Sequence, residues 1–293
     1  MVKAVVGIIG GSGVYHLPGL QDLREERVTT PFGDPSDTLH FGRIGQTEAV
    51  FLPRHGRGHR LSPSGINYRA NIYAMKAAGV TDLVSVSACG SFREDLPPGR
   101  FVLVDQFVDR TSGRDSSFFG NGCVAHVSMA HPVAPKLQDR IEQAAHDLRI
   151  ALTRGGTYVC MEGPQFSSLA ESLTYRGLGY DVIGMTAMPE AKLAREAELS
   201  YATIAMVTDY DCWHSDHDAV DVSSILKIVA ENSEKASLLL ARLLLDFPAE
   251  HEPCPIGSDR ALDTALITAR EARDPIVVHK LQALLARVEA AQA

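Results

Sequence analysis

Short apolar runs rich in β-branched residues are the feature of this sequence that most restricts its fold. Seven of them stand out, at residues 5–9, 49–52, 83–86, 101–104, 156–160, 181–183 and 203–207. Uninterrupted apolar strands of this kind are typical of a sheet that is covered on both faces. We therefore predict a largely parallel or mixed sheet.

Helical patterns separate these runs. Apolar residues recur at helical spacing over 134–148 and 222–246, and the segment 66–78 ends at a glycine. A capping-box pattern begins at Ser168, and Pro189 suits the first turn of another helix. The alternation of strands and helices predicts the α/β class.

Composition excludes several functional classes. The formal net charge of −8 argues against a dedicated nucleic-acid binder, which usually has an excess of basic residues. There is no apolar run of about 18 residues, so we expect no membrane span. We also see no signal-peptide pattern at the N-terminus. The five cysteines are widely spaced without a Cys-x-x-Cys pair, which favours a reduced, cytoplasmic protein.

The domain organisation has one clear break. A length of 293 residues would allow about two domains of average size. A proline-rich segment at 247–258 precedes a stretch, about 259–291, with a helical pattern. We interpret this tail as a helical appendage or an oligomer contact.

Two clusters follow predicted strands and could hold an anion. The first, residues 7–13, is a glycine-rich turn in which Ser12 offers a hydroxyl; His16 replaces the third glycine of a dinucleotide fingerprint, which disfavours a Rossmann site. The second contains Arg54 and His55, whose side chains suit phosphate. Purely structural roles, a tight turn and a solvated basic loop, remain open for both clusters. A metal site at His55 and His59 is disfavoured by the intervening glycines.

Further polar groups lie at other strand ends. Ser87 follows a strand that runs into small residues, and Thr186 lies between a strand and a helix start, where it could cap the helix or bind an anion. Phe166 could stack on a flat ligand or pack in the core. Asp209 and Asp211 end a buried strand and could bind an amine, exchange protons or form a solvated turn.

Taken together, eight segments in this order resemble the 5′-methylthioadenosine phosphorylases, which belong to the trimeric purine nucleoside phosphorylase superfamily. The resemblance covers about residues 4–246. The segments are Gly-Ile-Ile-Gly-Gly-Ser-Gly from Gly7, Arg-His-Gly from Arg54, Asn-Tyr-x-Ala-Asn from Asn67, Ala-Cys-Gly-Ser from Ala88, Asp-Gln-Phe-x-Asp-Arg from Asp105, Glu-Gly-Pro-x-Phe from Glu162, Met-Thr-x-x-Pro-Glu from Met185 and Thr-Asp-Tyr-Asp-Cys-Trp from Thr208.

The resemblance implies a single-domain, twisted mixed β-sheet flanked by helices, the nucleoside phosphorylase fold, over residues 1–247, with 248–293 as the appendage. It implies that orthophosphate, a co-substrate, displaces adenine from methylthioadenosine to give 5-methylthioribose 1-phosphate, in purine and methionine salvage. It implies no organic cofactor and no metal. The expected assembly is a homotrimer or a dimer of trimers, without nucleic-acid or membrane partners.

By resemblance, the site residues divide into two groups. The phosphate is expected to contact Ser12, Arg54, His55, Ser87, the Ala88 backbone and Thr186. The nucleoside is expected to contact Phe166, Ser167, Met185, Asp209, Asp211, Val222, Ile225, Leu226 and, from the neighbouring subunit, His126. Asp209 would carry the proton for the purine ring nitrogen N7, which requires a raised pKa. Asp211 would accept from the exocyclic amine, and Val222, Ile225 and Leu226 would form the methylthio pocket.

Two departures from the family pattern and three alternatives qualify this prediction. Ser12 stands where many relatives have Thr, and Gly184 stands where some have Asn, which places one hydrogen bond near the sugar in doubt. The nearest alternative is a phosphorylase for methylthioinosine or other 6-oxopurine nucleosides, but Asp209 and the pair Ser167-Ser168 favour the aminopurine. A non-catalytic nucleoside-binding protein and an NAD-dependent oxidoreductase are the others.

Overall fold

The computed structural model describes residues 2–11, 17–214 and 222–291; for 222–225 it describes the backbone alone. Ser12 and the side chains of Val222 and Ile225 therefore lie outside the described part. Its strands are β1 (Val5–Gly10), β2 (Gln21–Glu26), β3 (Leu39–Ile44), β4 (Thr47–Pro53), β5 (Asp82–Ser91), β6 (Phe101–Val104), β7 (Gln106–Asp109), β8 (Leu152–Arg154), β9 (Thr157–Cys160), β10 (Val182–Gly184) and β11 (Ser200–Asp209).

Helices cover both faces of this sheet. They are α1 (Tyr68–Ala77), α2 (Pro135–Asp147), α3 (Leu169–Gly177), α4 (Ala187–Glu196), α5 (Val222–Leu245), α6 (Pro275–Lys280) and α7 (Gln282–Ala291). The predicted capping box opens α3, where the Ser168 hydroxyl accepts from the Glu171 N–H and the Glu171 carboxylate accepts from the Ser168 N–H. No helix in the described part of the chain is both long and apolar enough to cross a membrane. The predicted α/β class and mixed sheet are confirmed.

The long strand β5 is the centre of the sheet. One edge of β5 pairs in parallel with β11 along almost its whole length. The other edge pairs in parallel with β1 at residues 82–86 and antiparallel with β10 at residues 90 and 91. Among the described strands none pairs with 87–89 on that second edge. Ser87, Ala88 and Cys89 therefore border a gap in the sheet where a ligand could approach the backbone.

The two largest apolar cores of the described residues lie on opposite faces of the sheet. On one face, Ile72 of α1 and Leu193 of α4 pack with Leu83 of β5. On the other, Ile141 of α2 and Leu239 of α5 pack with strand residues of β1, β5, β6 and β11. The strands between the two cores, such as β1, β5 and β11, are almost completely removed from water, which explains why they are largely apolar along their length.

The C-terminal tail packs against the first of these cores. Leu262, Leu281 and Leu285 are buried in it, and Arg287 forms two hydrogen bonds of 2.6 and 2.7 Å with the carboxylate of Glu198. The α-helical part of the tail begins at Pro275, later than the sequence pattern indicated, because short 3-10 turns occupy 258–260 and 270–272. The division at residue 247 into a domain and an appendage stays a prediction.

Candidate active site

A cavity of about 310 Å³ opens beside the gap in the sheet, at the carboxyl ends of β4, β5, β10 and β11. Ligands of open α/β sheets bind at this end of the strands. Five residues of the predicted phosphate group line it, namely Arg54, His55, Ser87, Ala88 and Thr186. Five of the predicted nucleoside group do so too, namely Phe166, Met185, Asp209, Asp211 and Leu226. Residues from all along the chain thus meet at one cavity.

Two buried hydroxyls mark one end of the cavity. The Oγ of Ser87 and the Oγ1 of Thr186 are 3.2 Å apart, and Ser87 Oγ also donates to the Ala88 carbonyl over 3.1 Å. Thr186 precedes the first turn of α4, and its side chain makes no capping hydrogen bond to the described residues of that helix. The backbone of Met188 is extended (φ −117°, ψ 136°), so the continuous helical part of α4 begins only after it, and what the hydroxyl pair offers an anion is hydrogen bonds.

Arg54 is tied to the protein by most of its donors. Nε and Nη2 bond the carboxylate of Glu190 over 2.9 and 3.2 Å, and both side chains are 1% exposed. Nη2 also donates to Ile9 O and Ser85 Oγ, and Nη1 donates to Val86 O. Burial alone would lower the pKa of Arg54, but the charge and hydrogen bonds of Glu190 outweigh it and raise the pKa. The guanidinium fork that the sequence suggested for phosphate is therefore directed at Glu190, and a contact between Arg54 and phosphate stays a prediction.

His55 is neutral near pH 7. Burial lowers its pKa to about 4, with a further contribution from the charge of Arg54. Nδ1 lies 2.8 Å from the carbonyl oxygen of Leu61, which can only accept, so the neutral ring carries its hydrogen there. Nε2 is then an acceptor, which suits a protonated oxygen of a phosphate. The His55 ring also stacks on that of His59 with centroids 4.1 Å apart.

Of the two predicted carboxylates, Asp209 ends β11 beside Gly90, three residues along β5 from Ser87, and Asp211 follows just after the strand. Asp209 accepts from the Asp211 N–H and from the Thr208 hydroxyl, each over 2.7 Å. Burial raises the pKa of both carboxyls, and the charge of Asp209 adds to the rise for Asp211. The Oδ2 atom of Asp211 is buried without a hydrogen-bond partner in the described residues. Such an unpaired acceptor is suited to a ligand N–H donor.

Space for the Asp209 carboxylate depends on Gly90. A Cβ atom at Gly90 would lie 2.9 Å from Asp209 Oδ1 and 3.0 Å from the Cγ2 of Ile183. Both neighbours would have to shift to admit any side chain. Glycine at this position of β5 therefore keeps the carboxylate close to the central strand.

The apolar side of the cavity contains Met185, Phe166 and Leu226. Phe166 and Leu226 are 50% and 61% exposed, so they are available for contact with a ligand. The loop that carries Met185 is held by Arg114, whose Nη1 donates to Met185 O over 2.7 Å and to Met188 O over 2.8 Å. Arg114 belongs to no sequence pattern, and Glu190 ends the Met-Thr-x-x-Pro-Glu segment without any local sign that it is the buried partner of Arg54.

Two predicted residues are not among those that line the cavity. Ser167 Oγ lies 3.7 Å from the sulfur of the lining residue Met161, and its side chain also acts to lower the pKa of Asp211. His126 is exposed, and its backbone N–H donates to the Ala265 carbonyl oxygen over 2.9 Å. A contribution of His126 to a neighbouring subunit's site stays a prediction. No group of three or more His, Cys, Asp or Glu side chains within the described ranges is arranged to hold a metal ion.

Comparison with known proteins agrees with this geometry. The family model of the phosphorylase superfamily matches residues 5–246. An S-methyl-5′-thioadenosine phosphorylase from Bradyrhizobium diazoefficiens is 67% identical over 98% of this chain and 99% of its own length. One from Rhodospirillum rubrum is 57% identical over 98% of this chain and 97% of its own.

Solved structures give the same result. A methylthioadenosine phosphorylase from an antarctic soil metagenomic library matches with a TM-score of 0.91 and 45% identity, over 97% of this chain and 100% of that one. A variant of the Schistosoma mansoni adenosine/methylthioadenosine phosphorylase, in complex with methylthioadenosine, matches with a TM-score of 0.75 and 39% identity over 83% and 91% of the two chains. The chain therefore belongs to the phosphorylase superfamily and, within it, to the S-methyl-5′-thioadenosine phosphorylases.

Proposed function

We propose that this protein catalyses the phosphorolysis of S-methyl-5′-thioadenosine, with adenine and 5-methylthioribose 1-phosphate as products. The observation that carries the proposal is the placement of an anion-binding hydroxyl pair, Ser87 and Thr186, in the same cavity as two carboxyls with raised pKa values, Asp209 and Asp211. The relatives named above support the same reaction.

Phosphate is the nucleophile in this scheme. Ser87, Thr186, the Ala88 backbone and His55 hold it below the sugar, together with Ser12, which lies outside the described residues. A phosphate oxygen forms the new bond to the anomeric carbon while the bond to N9 of adenine breaks, and its electron pair passes to the purine. Fixing the anion under a sugar that becomes oxocarbenium-like lowers the barrier by orientation and by charge stabilisation.

Asp209 and Asp211 act on the leaving group. Protonated Asp209 donates to N7 and so makes adenine a better leaving group. The unpaired Oδ2 of Asp211 accepts a hydrogen bond from the exocyclic amine. A 6-oxo group presents an acceptor there instead, and two acceptors facing each other would leave both unpaired. This contact favours adenine over hypoxanthine.

The remaining contacts define the sugar and its 5′ end. Met185 lies against the ribose, and Phe166 covers the sugar and base. Leu226 contributes an apolar surface for the methylthio group, with Val222 and Ile225 from the part of α5 whose side chains are not described. We propose a homotrimer or a dimer of trimers in which His126 reaches the neighbouring site. All five cysteines are free, which supports a cytoplasmic location.

A substrate panel tests the proposal. Release of base from methylthioadenosine, adenosine and methylthioinosine is followed with and without phosphate, and kcat/KM is compared. We expect phosphate-dependent release of adenine with methylthioadenosine as the best substrate. Preference for the 6-oxo substrate would reassign the enzyme, and nucleoside binding without phosphate-dependent turnover would make it a binding protein.

A further inference from the structure

The reaction scheme gives no role to the hydroxyl of Tyr158, which lies next to Gly184 of the cavity lining. Tyr158 lies on β9, is fully buried, and its hydroxyl has no hydrogen-bond partner among the residues that the structure describes. An unpaired buried hydroxyl costs free energy, whereas phenylalanine would fill the same space without that cost. The hydroxyl is therefore better explained by a partner in the functional state.

The position of this hydroxyl is linked to Gly184 on β10. A Cβ atom at Gly184 would overlap the Tyr158 hydroxyl and lie 2.6 Å from its Cζ and 3.4 Å from the carbonyl oxygen of Ala88. The φ of Gly184 is not positive, so space rather than backbone conformation requires glycine there. The Tyr158 hydroxyl thus occupies the volume that a side chain at 184 would fill, between β10 and β5.

That volume adjoins the gap in the sheet that Ser87 borders. Burial raises the pKa of Tyr158 well above its usual value, so the phenol keeps its proton and remains a donor. The Ser87 side chain acts against this rise in pKa, so the two hydroxyls are neighbours, although they are not in hydrogen-bonding geometry. Ser87 Oγ in turn donates to Ala88 O and lies 3.2 Å from Thr186 Oγ1. A chain from Tyr158 through Ser87 would end at the proposed phosphate site.

We propose that Tyr158 is a positioning residue that donates to Ser87 Oγ when phosphate is bound, so that the Ser87 hydrogen is given to the phosphate. The inference rests on the proposed function of the same cavity. Ser87 has a single hydrogen, which it donates to the Ala88 carbonyl of its own strand. When the Ser87 hydroxyl hydrogen is directed at the anion, Ser87 Oγ accepts a hydrogen bond from the Tyr158 hydroxyl. Each hydrogen bond in such a chain polarises the next and strengthens it. Both buried hydroxyls are then satisfied.

The variant Tyr158→Phe tests this role. We expect the KM for phosphate to rise about tenfold, the loss of roughly one hydrogen bond. The KM for methylthioadenosine should change little, and the Tm should stay equal or rise, because an unpaired buried hydroxyl is removed. A purely structural role would lower the Tm and affect both substrates. Unchanged phosphate dependence in a folded Tyr158→Phe protein would overturn the proposal.

A double-mutant cycle with Ser87→Ala shows whether the effect passes through Ser87. We expect Tyr158→Phe to add almost nothing in the Ser87→Ala background; independent, additive losses would contradict the proposal. Calorimetric binding of inorganic phosphate to wild type and Tyr158→Phe gives a readout without turnover. If wild type binds phosphate but has no phosphorylase activity, the proposed function is wrong. The effect of Tyr158→Phe on phosphate affinity then still decides whether Tyr158 positions Ser87. A wild type that binds no phosphate overturns both.

Discussion

Arg54 lines the cavity and forms a buried ion pair with Glu190, with Arg54 Nε 2.9 Å from Glu190 Oε2 and both side chains 1% exposed. Tyr201 also donates to Glu190, over 3.0 Å. Because Glu190 and three further acceptors bond its donors, the guanidinium is fixed in place at the cavity wall. Glu190 therefore determines the position of the positive charge of Arg54 at the cavity.

Glu190→Gln should destabilise the protein strongly. The substitution preserves shape but leaves the buried guanidinium without a counter-charge, which typically costs about 3–5 kcal/mol. Urea denaturation of variant and wild type measures the difference. The control is Glu48→Gln, which removes the partner of Lys3 in an exposed pair of 2.6 Å and should cost less than about 1 kcal/mol. Equal effects of the two substitutions would refute the structural role of the pair.

Asp209→Asn should remove the acid that protonates the leaving group. Burial raises the pKa of Asp209, so the active protonated form persists to higher pH, and the rate falls as pH increases through that raised pKa. Asparagine does not titrate, so kcat should drop by roughly 100-fold or more and the variant should lose this alkaline limb. A pH–rate profile with the same limb in the variant would exclude Asp209 as the acid.

Asp211→Asn provides the matched comparison. Asp211 is proposed to accept from the exocyclic amine without transferring a proton, so its substitution should raise the KM for the nucleoside and keep the alkaline limb that depends on Asp209. The two kinetic effects thus separate an acid from an acceptor. Loss of the limb in Asp211→Asn as well would mean that the two carboxyls titrate as one coupled pair.

The sequence alone predicts the buried apolar strands better than it predicts the exposed strand or the contacts around the cavity. Val5–Gly10 and Ser200–Asp209 were recognisable because burial on both faces demands an uninterrupted apolar run. Gln21–Glu26 was missed because all six of its residues are exposed and polar residues predominate; only pairing with β3 makes it a strand. The Arg54–Glu190 contact joins residues 136 positions apart, and nothing local signals such a partner.

His126→Ala tests the predicted contribution from a neighbouring subunit. His126 is exposed and lies outside the cavity of its own chain, so loss of its side chain should affect activity only if assembly brings it to another site. We expect the KM for methylthioadenosine to rise several-fold, as for loss of one hydrogen bond of about 1 kcal/mol. His146→Ala, at a side chain that is 85% exposed, is the control and should leave KM unchanged. Identical kinetics of His126→Ala and wild type would remove His126 from the site.

The attachment of the tail should depend on pH through His251. The ring Nδ1 of His251 lies 2.9 Å from Asp82 Oδ2. The backbone N–H of His251 donates to the Val2 carbonyl oxygen over 2.8 Å. Burial and the charge of Lys76 act to lower the pKa of His251, but the hydrogen bond and charge of Asp82, with the charge of Asp259, outweigh them and raise it. A raised folded-state pKa means that the ion pair stabilises the protein fully below the unfolded pKa of about 6.5 and loses this effect as pH rises through the folded value.

His251→Asn keeps a polar side chain but cannot become charged, so it isolates this contribution. Thermal unfolding of wild type and variant between pH 5.5 and 9 should show wild type more stable at the acid end, with the difference in Tm shrinking as the pH rises. Titrations of other groups are common to both proteins and cancel in the difference. A Tm difference that is constant over the range, or grows toward alkaline pH, would show that the His251 charge does not hold the tail to Asp82.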